Sequence, residues 1–273
     1  MPKVRKSSQP AIPPVQSVQR ALNILKCFSL ENPELGITEI ATQLGLHKST
    51  VHRIVVTLEA EGFLRQLSNS RYALSWRLFE LGSAVFQWRG SRQMVLEALE
   101  RIVQQTGETA HLAVLDGTQV LYIEKVESPH HLRMPSAVGR RVSPHCTALG
   151  KVMLAALDTP RMLSVIYALP LESLTSHTIT DPDVLRRELL QVKDQGYAID
   201  NEEIELGLMC VAAPVVDPEG LTCGAISIAG PASRVKGRLS EHIASLRKEV
   251  SSLSRNLGSQ ATLLREICSE SSS

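Results

Sequence analysis

The sequence predicts a two-domain α+β protein: a small helical domain closed by a β-hairpin, then a linking helix, then a larger α/β domain. Three observations carry this. The chain has 273 residues, more than one small module needs. Its first third shows helical periodicity punctuated by glycine, followed by two short strand-like runs. Beyond Gly107 the apolar period switches from 3.6 to 2 and back. With 43% apolar and 21% charged residues, the composition suits a globular chain with real cores.

Residues 1–14 hold four prolines with Lys3, Arg5 and Lys6, which reads as a disordered arm. Val18, Ala21, Leu22, Leu25 and Phe28 then recur at helical spacing, and Pro33 is expected to end that helix. Thr38 has the character of an N-cap for a short helix through Leu44, with Glu39 in its first turn and Gly45 as its stop. A second helix is expected from His47–Ser49 to Glu61. Phe63–Leu67 and Arg71–Leu74 around Ser68-Asn69-Ser70 read as a hairpin. Residues 15–75 form the first domain on this reading.

From Trp76 to Trp88 a helix carries Leu78, Phe79, Leu81, Val85 and Phe86, apolar around most of its circumference. Such a helix needs partners on more than one face, so residues 76–91 are assigned as a linker that pairs subunits. The second domain is placed at 92–258. It opens with a helix bearing Val95, Leu96, Leu99, Ile102 and Val103, followed by strands at 111–115 and 120–126 around Asp116-Gly117. Helices at 149–157, 160–167 and 182–195, strands at 211–216 and 223–229, and a last helix from Leu239 to Leu257 complete it. Residues 259–273 read as a frayed tail.

Charge separates the two parts. Residues 1–90 hold 11 Lys/Arg against 6 Asp/Glu, and residues 91–273 hold 18 against 22, so only the first part is suited to a polyanion. The five cysteines are scattered without a CxxC pair, and the histidines lack metal-ligand spacing, so no disulfide framework, metal or cofactor is expected. Nothing in the N-terminus resembles a signal peptide and no apolar run is long enough to span a membrane, so a cytoplasmic location is expected.

The segment ITEIATQLGLHKSTVHRIVVTLEAEGF is the most specific feature. Ile40, Ala41 and Leu44 point inward from its first helix and Val51, Ile54 and Leu58 from its second, with Gly45 at the turn. That is a helix-turn-helix, and the hairpin after it is a wing. Its second helix would lie in the major groove of double-stranded DNA. The DNA-facing set is Thr38, His47, Lys48, Ser49, Thr50, His52 and Arg53, with Arg71 from the wing; Arg53 could fork onto guanine. The bland alternative is two packed helices with a solvated charged face.

On HKSTVHR and Arg71-Tyr72, on VGRRVSPHCTALGKVMLAAL, and on GYAIDNEEIELGLMCVAAPVVD followed by GAISIAGPASR, the chain resembles IclR-family transcriptional regulators from about Val15 to Gly258. The resemblance implies a winged helix-turn-helix, a linker helix and a GAF-like α/β effector domain. It also implies a homodimer or dimer of dimers on a palindromic operator. It places Ala148 and Leu149 at backbone contacts to effector, Asp200, Cys210 and Ser227 at polar pocket positions, and Met134, Val142 and Leu208 at the pocket wall. Ala229 stands where some relatives carry a second serine. KVESPHHLRMPSAVGRR and TALGKVMLA look most like the branch sensing 2-keto-3-deoxygluconate and related sugar acids.

The residues themselves support an anion at the helix start near Cys146–Gly150, where small side chains expose N–H groups. Other readings stay open: Cys146 and Cys210 as small buried hydrophobes, and Asp200 as a loop carboxylate in an Asx-turn, negative and repelling diacids. A second function class is a thiol enzyme such as a methionine sulfoxide reductase, since GAF-like domains support that chemistry. It requires Cys146, Cys210 and Cys223 to converge.

Overall fold

The computed structural model describes residues 14–29, 31–85, 89–131 and 136–258. The expectations for the arm at 1–13, the tail, Phe86 and Trp88 of the linker and the pocket candidate Met134 lie outside them. The chain divides into two compact units, residues up to 87 and residues from 88 onward.

The first unit comprises α1 (Gln16–Lys26), β1 (Glu34–Leu35), α2 (Ile37–Leu44), α3 (Lys48–Ala60), β2 (Leu64–Gln66), β3 (Tyr72–Leu74) and α4 (Trp76–Val85). Ile24, Leu35, Ile40, Val51, Val55, Leu58, Leu64 and Tyr72 form its core. Each such aliphatic side chain contributes about 1.5–3 kcal/mol of burial. Gly45 closes α2 at φ +62°, a left-handed conformation open to glycine without strain.

Three local expectations are corrected here. The first helix ends at Lys26, because Ser29 and Asn32 close a turn on each other before Pro33 is reached. The N-cap of α2 is Gly36 rather than Thr38: Glu39 Oε2 accepts the Gly36 N–H at 2.7 Å, leaving Thr38 exposed inside the first turn. On α3, Val55 joins Val51 and Leu58 in the core, and Ile54, half-buried, packs against it. The hairpin gains a third strand, in the order β1-β3-β2, with Arg71 binding the Glu34 carbonyl beside it.

The second unit runs α5 (Arg89–Thr106), β4 (Thr109–Asp116), β5 (Gln119–Val126), β6 (Arg141–Val142), α6 (Ala148–Ala155), α7 (Thr159–Ala168), α8 (Pro182–Gln195), β7 (Ala198–Asn201), β8 (Leu208–Val216), β9 (Thr222–Pro231), α9 (Ala232–Gly237) and α10 (Leu239–Leu257). Its strands make one antiparallel sheet, β6-β5-β4-β9-β8-β7. Helices α5 and α10 cover one face, tied together where Arg101 and Gln105 of α5 both bind Glu249 of α10, at 2.8 and 3.0 Å. Helix α6 covers the other, with α7 and α8 packed outside it.

Register decides which side chains meet under α6. His111 pairs with Ser227, Ser227 with Ala212, Ala229 with Cys210, and Cys210 with Asp200. Because side chains alternate along a strand, His111, Ser227, Ala229, Cys210 and Asp200 share the α6 face. A one-residue slip in the β4–β5 ladder pairs Ala113 with Tyr122 and brings that ring to the same side.

Candidate DNA interface and ligand cavity

Helix α3 starts on a side-chain cap: His47 Nδ1 accepts the Ser49 N–H at 3.3 Å and lies 2.7 Å from the Ser49 hydroxyl. That bond fixes the helix start. Lys48, Ser49, His52 and Arg53 are exposed along one side of α3, while Thr50 is half-buried. Val56, 43% exposed, continues the same stripe one turn further on and was missed in the sequence. An apolar group there suits a thymine methyl; its only signal was a β-branched residue three positions beyond Arg53.

Arg71, expected in the DNA-facing set, is half-buried in the wing. Its guanidinium binds Glu39 at 2.9 Å and donates to the Glu34 carbonyl at 2.7 Å. It therefore ties the wing to α2, and Glu39 is held below the usual carboxylate range chiefly by its bond to the Gly36 N–H.

In the second unit a small enclosed cavity is lined by His111, Tyr122, Thr147, Ala148, Leu149, Asp200, Ile204, Cys210, Ser227 and Ala229. Five of the eight sequence-derived pocket residues line it together. Val142 and Leu208 lie in the apolar cluster around it. His111, Tyr122, Thr147 and Ile204 had not been singled out. The space inside is about 10 Å³, room for about one water, so a larger ligand enters only as the walls part.

Thr147 caps α6 by accepting the Gly150 N–H at 3.1 Å, which leaves the N–H groups of Ala148 and Leu149 as the helix's uncapped donors beside the cavity. Gly150 is required by close approach: a Cβ would stand 2.2 Å from the Pro144 Cα. Opposite the helix start, Asp200 is 1% exposed and belongs to β7, not to a loop. One of its oxygens accepts the Glu203 N–H at 2.8 Å; the other, Oδ2, is buried without a hydrogen-bond partner. Burial first, and then the nearby Glu203 carboxylate, raise its carboxyl to about 7 against the pull of backbone N–H groups and Lys151.

Burial, with a smaller push from Lys125, drops His111 to about 3, so the ring is neutral; its Nε2 meets the Ser136 hydroxyl at 2.7 Å and its Nδ1 the Ser227 hydroxyl at 3.4 Å. The Tyr122 ring packs edge-on against it, 5.1 Å between centroids. The cavity thus presents a neutral imidazole, a serine hydroxyl, a buried carboxyl and one helix start, a surface for a small polar ligand.

The thiols do not support the thiol-enzyme reading. Burial and the Asp200 and Glu203 carboxylates push Cys146 up to about 12, and burial with Asp200 holds Cys210 well above its ordinary value. A nucleophilic thiol needs the opposite shift. Cys223 lies six residues from Ala229 along β9, about 20 Å at strand spacing, so the three thiols do not converge.

Residues 17–68 match the IclR helix-turn-helix domain and residues 88–255 the bacterial transcriptional regulator IclR C-terminal domain. The chain belongs to the IclR family. Its relatives include the HTH-type transcriptional regulator XynR of Escherichia coli, 37% identical over 90% of this chain and 99% of its own length. Escherichia coli KdgR is 36% identical over 89% of this chain and 93% of its own. Among solved structures, the Thermotoga maritima IclR superposes with a TM-score of 0.72 at 33% identity, covering 88% of this chain and 98% of that one. An IclR homolog from Microbacterium hydrocarbonoxydans complexed with 4-hydroxybenzoate gives 0.79 at 26% identity, over 92% and 100%. The protein is a ligand-responsive, DNA-binding transcriptional regulator of the winged helix-turn-helix, effector-domain architecture. Among the described residues no helix is long and apolar enough to cross a membrane.

Proposed function

We propose that α3 reads the major groove of an operator through Lys48, Ser49, His52 and Arg53, and that the cavity under α6 takes a small organic monoacid carrying hydroxyl or keto groups. In this reading the protein controls a catabolic operon in the cytoplasm, as a homodimer or dimer of dimers. The observation that carries the effector half is the joint lining of one cavity by Ala148, Leu149, Asp200, Cys210 and Ser227. The ligand carboxylate meets the Ala148 and Leu149 N–H groups, and Asp200 and Ser227 take its other oxygens. Resemblance of the TALGKVMLA segment to the 2-keto-3-deoxygluconate-sensing branch, together with the KdgR relative, supports a sugar acid. The assembly reading rests on α4, where Trp76 is 78% and Phe79 68% exposed and their rings stack edge-on at 6.1 Å.

An aromatic acid is the second reading. The relative carrying 4-hydroxybenzoate favours it, as do the His111 and Tyr122 rings in the cavity wall. Melting the protein with keto, hydroxy, sugar and aromatic acids separates them. Ligand at 100 times its dissociation constant adds about 2.7 kcal/mol, and Ala148→Asp should abolish the shift. A strong shift with an aromatic acid and none with sugar acids overturns the first reading; no shift with any acid overturns the pocket.

A further inference from the structure

We propose that Asp200 holds a proton in the closed pocket and donates it as a hydrogen bond to the effector, which makes Asp200 the residue that selects for an acceptor oxygen and couples effector binding to pH. This rests on reading the cavity as the effector site. The geometry begins with a count of charges. Two buried carboxylates, Asp200 and Glu203, stand beside one buried ammonium, Lys151. Lys151 Nζ is committed elsewhere: it lies 2.5 Å from Glu203 Oε1, 3.1 Å from the Ile199 carbonyl and 3.4 Å from Glu188 Oε1. Glu203 therefore has its counter-ion and Asp200 has none in contact.

Beyond Lys151, compensation for Asp200 comes from the backbone N–H groups of Glu203 and Ile204. From the turn after its own strand comes Glu203, and from α6 comes Lys151 with Glu188 of α8 behind it. Directly across the ladder on β8 is the Cys210 thiol, close enough to Asp200 to interact with it but only a weak donor. Tyr122 of β5 and Cys146 before α6 are held protonated, in part by Asp200 itself. His145, facing Lys151 and Glu203, is shifted toward its neutral form mainly by burial, and His111 of β4 is neutral. Lys151 is the cation that pulls Asp200 toward its charged form, while Arg140 acts on the neighbouring Tyr122. A second bare carboxylate in this setting would be a buried charge without a partner, and a proton on Oδ2 removes it. The resulting O–H is a buried donor with only the weak Cys210 sulfur beside it. A keto or carboxylate oxygen of a ligand supplies the acceptor, and a ligand offering only a C–H there does not.

Two titrations of the full-length protein decide this. In the ligand-free protein, an acid that keeps its proton to pH 7 loses folding stability as pH rises from about 4 to 7, because the unfolded chain ionises first. The melting midpoint of Asp200→Asn should therefore pull ahead of wild type across that interval and hold a constant lead above it. A gap that does not widen overturns the proposal. Should the variant fail to fold, the carboxyl resonance of 13C-Asp-labelled wild type decides, with a midpoint near 7 in support and one near 4 against. The second titration measures the dissociation constants of 2-keto-3-deoxygluconate and 4-hydroxybenzoate. For whichever binds, the constant should be flat below pH 7 and rise about tenfold per pH unit above it. Asp200→Asn, whose amide donates at every pH, should give a flat profile. A flat wild-type profile from pH 6 to 9 overturns the coupling. Binding by neither acid counts against the effector reading and against Asp200 as its donor, while the first titration independently reports whether the proton is there.

Discussion

Replacing Lys151 with methionine should unfold the effector unit far more readily than its single position on α6 would suggest. The side chain is 1% exposed and its ammonium makes three contacts, to Glu203, the Ile199 carbonyl and Glu188. Methionine fills the same volume but leaves Glu203, itself 7% exposed at the side chain, without a counter-ion. Breaking a buried pair by removing one partner costs about 3–5 kcal/mol, because the survivor stays charged in a poor solvent. For a unit of this size that lowers the melting midpoint by roughly 6–20 °C. Glu188 contributes little to the loss, since its side chain is 32% exposed and water replaces the ammonium. Lys151→Met combined with Glu203→Gln should recover most of the deficit, as the stranded charge is gone. Urea unfolding of the four proteins by far-ultraviolet circular dichroism at pH 7.5 completes the double-mutant cycle. A single variant within about 0.5 kcal/mol of wild type, or a double variant no better than the single, would refute the ion-pair account.

On the DNA side, Arg53→Ala should cost about 1–3 kcal/mol and blur specificity at one operator position, whereas Lys48→Ala should weaken all sequences alike and reduce the salt slope by about one. Fluorescence anisotropy across a salt series separates the two, and unchanged affinity in both variants removes α3 from the groove. For assembly, Trp76→Glu with Phe79→Glu should yield smaller species in sedimentation and lose operator affinity through lost bivalency. An unchanged sedimentation coefficient would leave α4 without that role.

Much of this was legible in the sequence, for physical reasons that also mark its edge. The helix-turn-helix announced itself because Ile40, Ala41, Val51 and Leu58 follow the helical period on both sides of Gly45, and all four are buried. Thr38 misled because a hydroxyl before an apolar run is the usual cap, whereas here Glu39 reaches back to the Gly36 N–H. The strand β7 was missed because Asp200-Asn201 reads as a turn; only the β8 edge, opposite Asp200 and Asn201 in register, makes it a strand. The same blindness hid His111 and Tyr122. Each sits in a run of strand residues, and what brings them beside Asp200 is the order β5-β4-β9-β8-β7, a long-range property of the sheet. Lys151 was visible only as one letter in TALGKVMLA, since burial of a lysine depends on carboxylates 37 and 52 residues away.

The central claim is that occupancy of the cavity under α6 changes how tightly the protein holds DNA. It is tested most directly by the affinity for an operator selected from a random duplex library, measured with and without the acid that most stabilises the protein. Wild type should shift its dissociation constant by about 5–150-fold, the span of a coupling of about 1–3 kcal/mol. Ala148→Asp, with a carboxylate at the helix start, should bind the same operator and ignore the acid. An acid that stabilises wild type yet leaves its operator affinity unchanged would contradict the account.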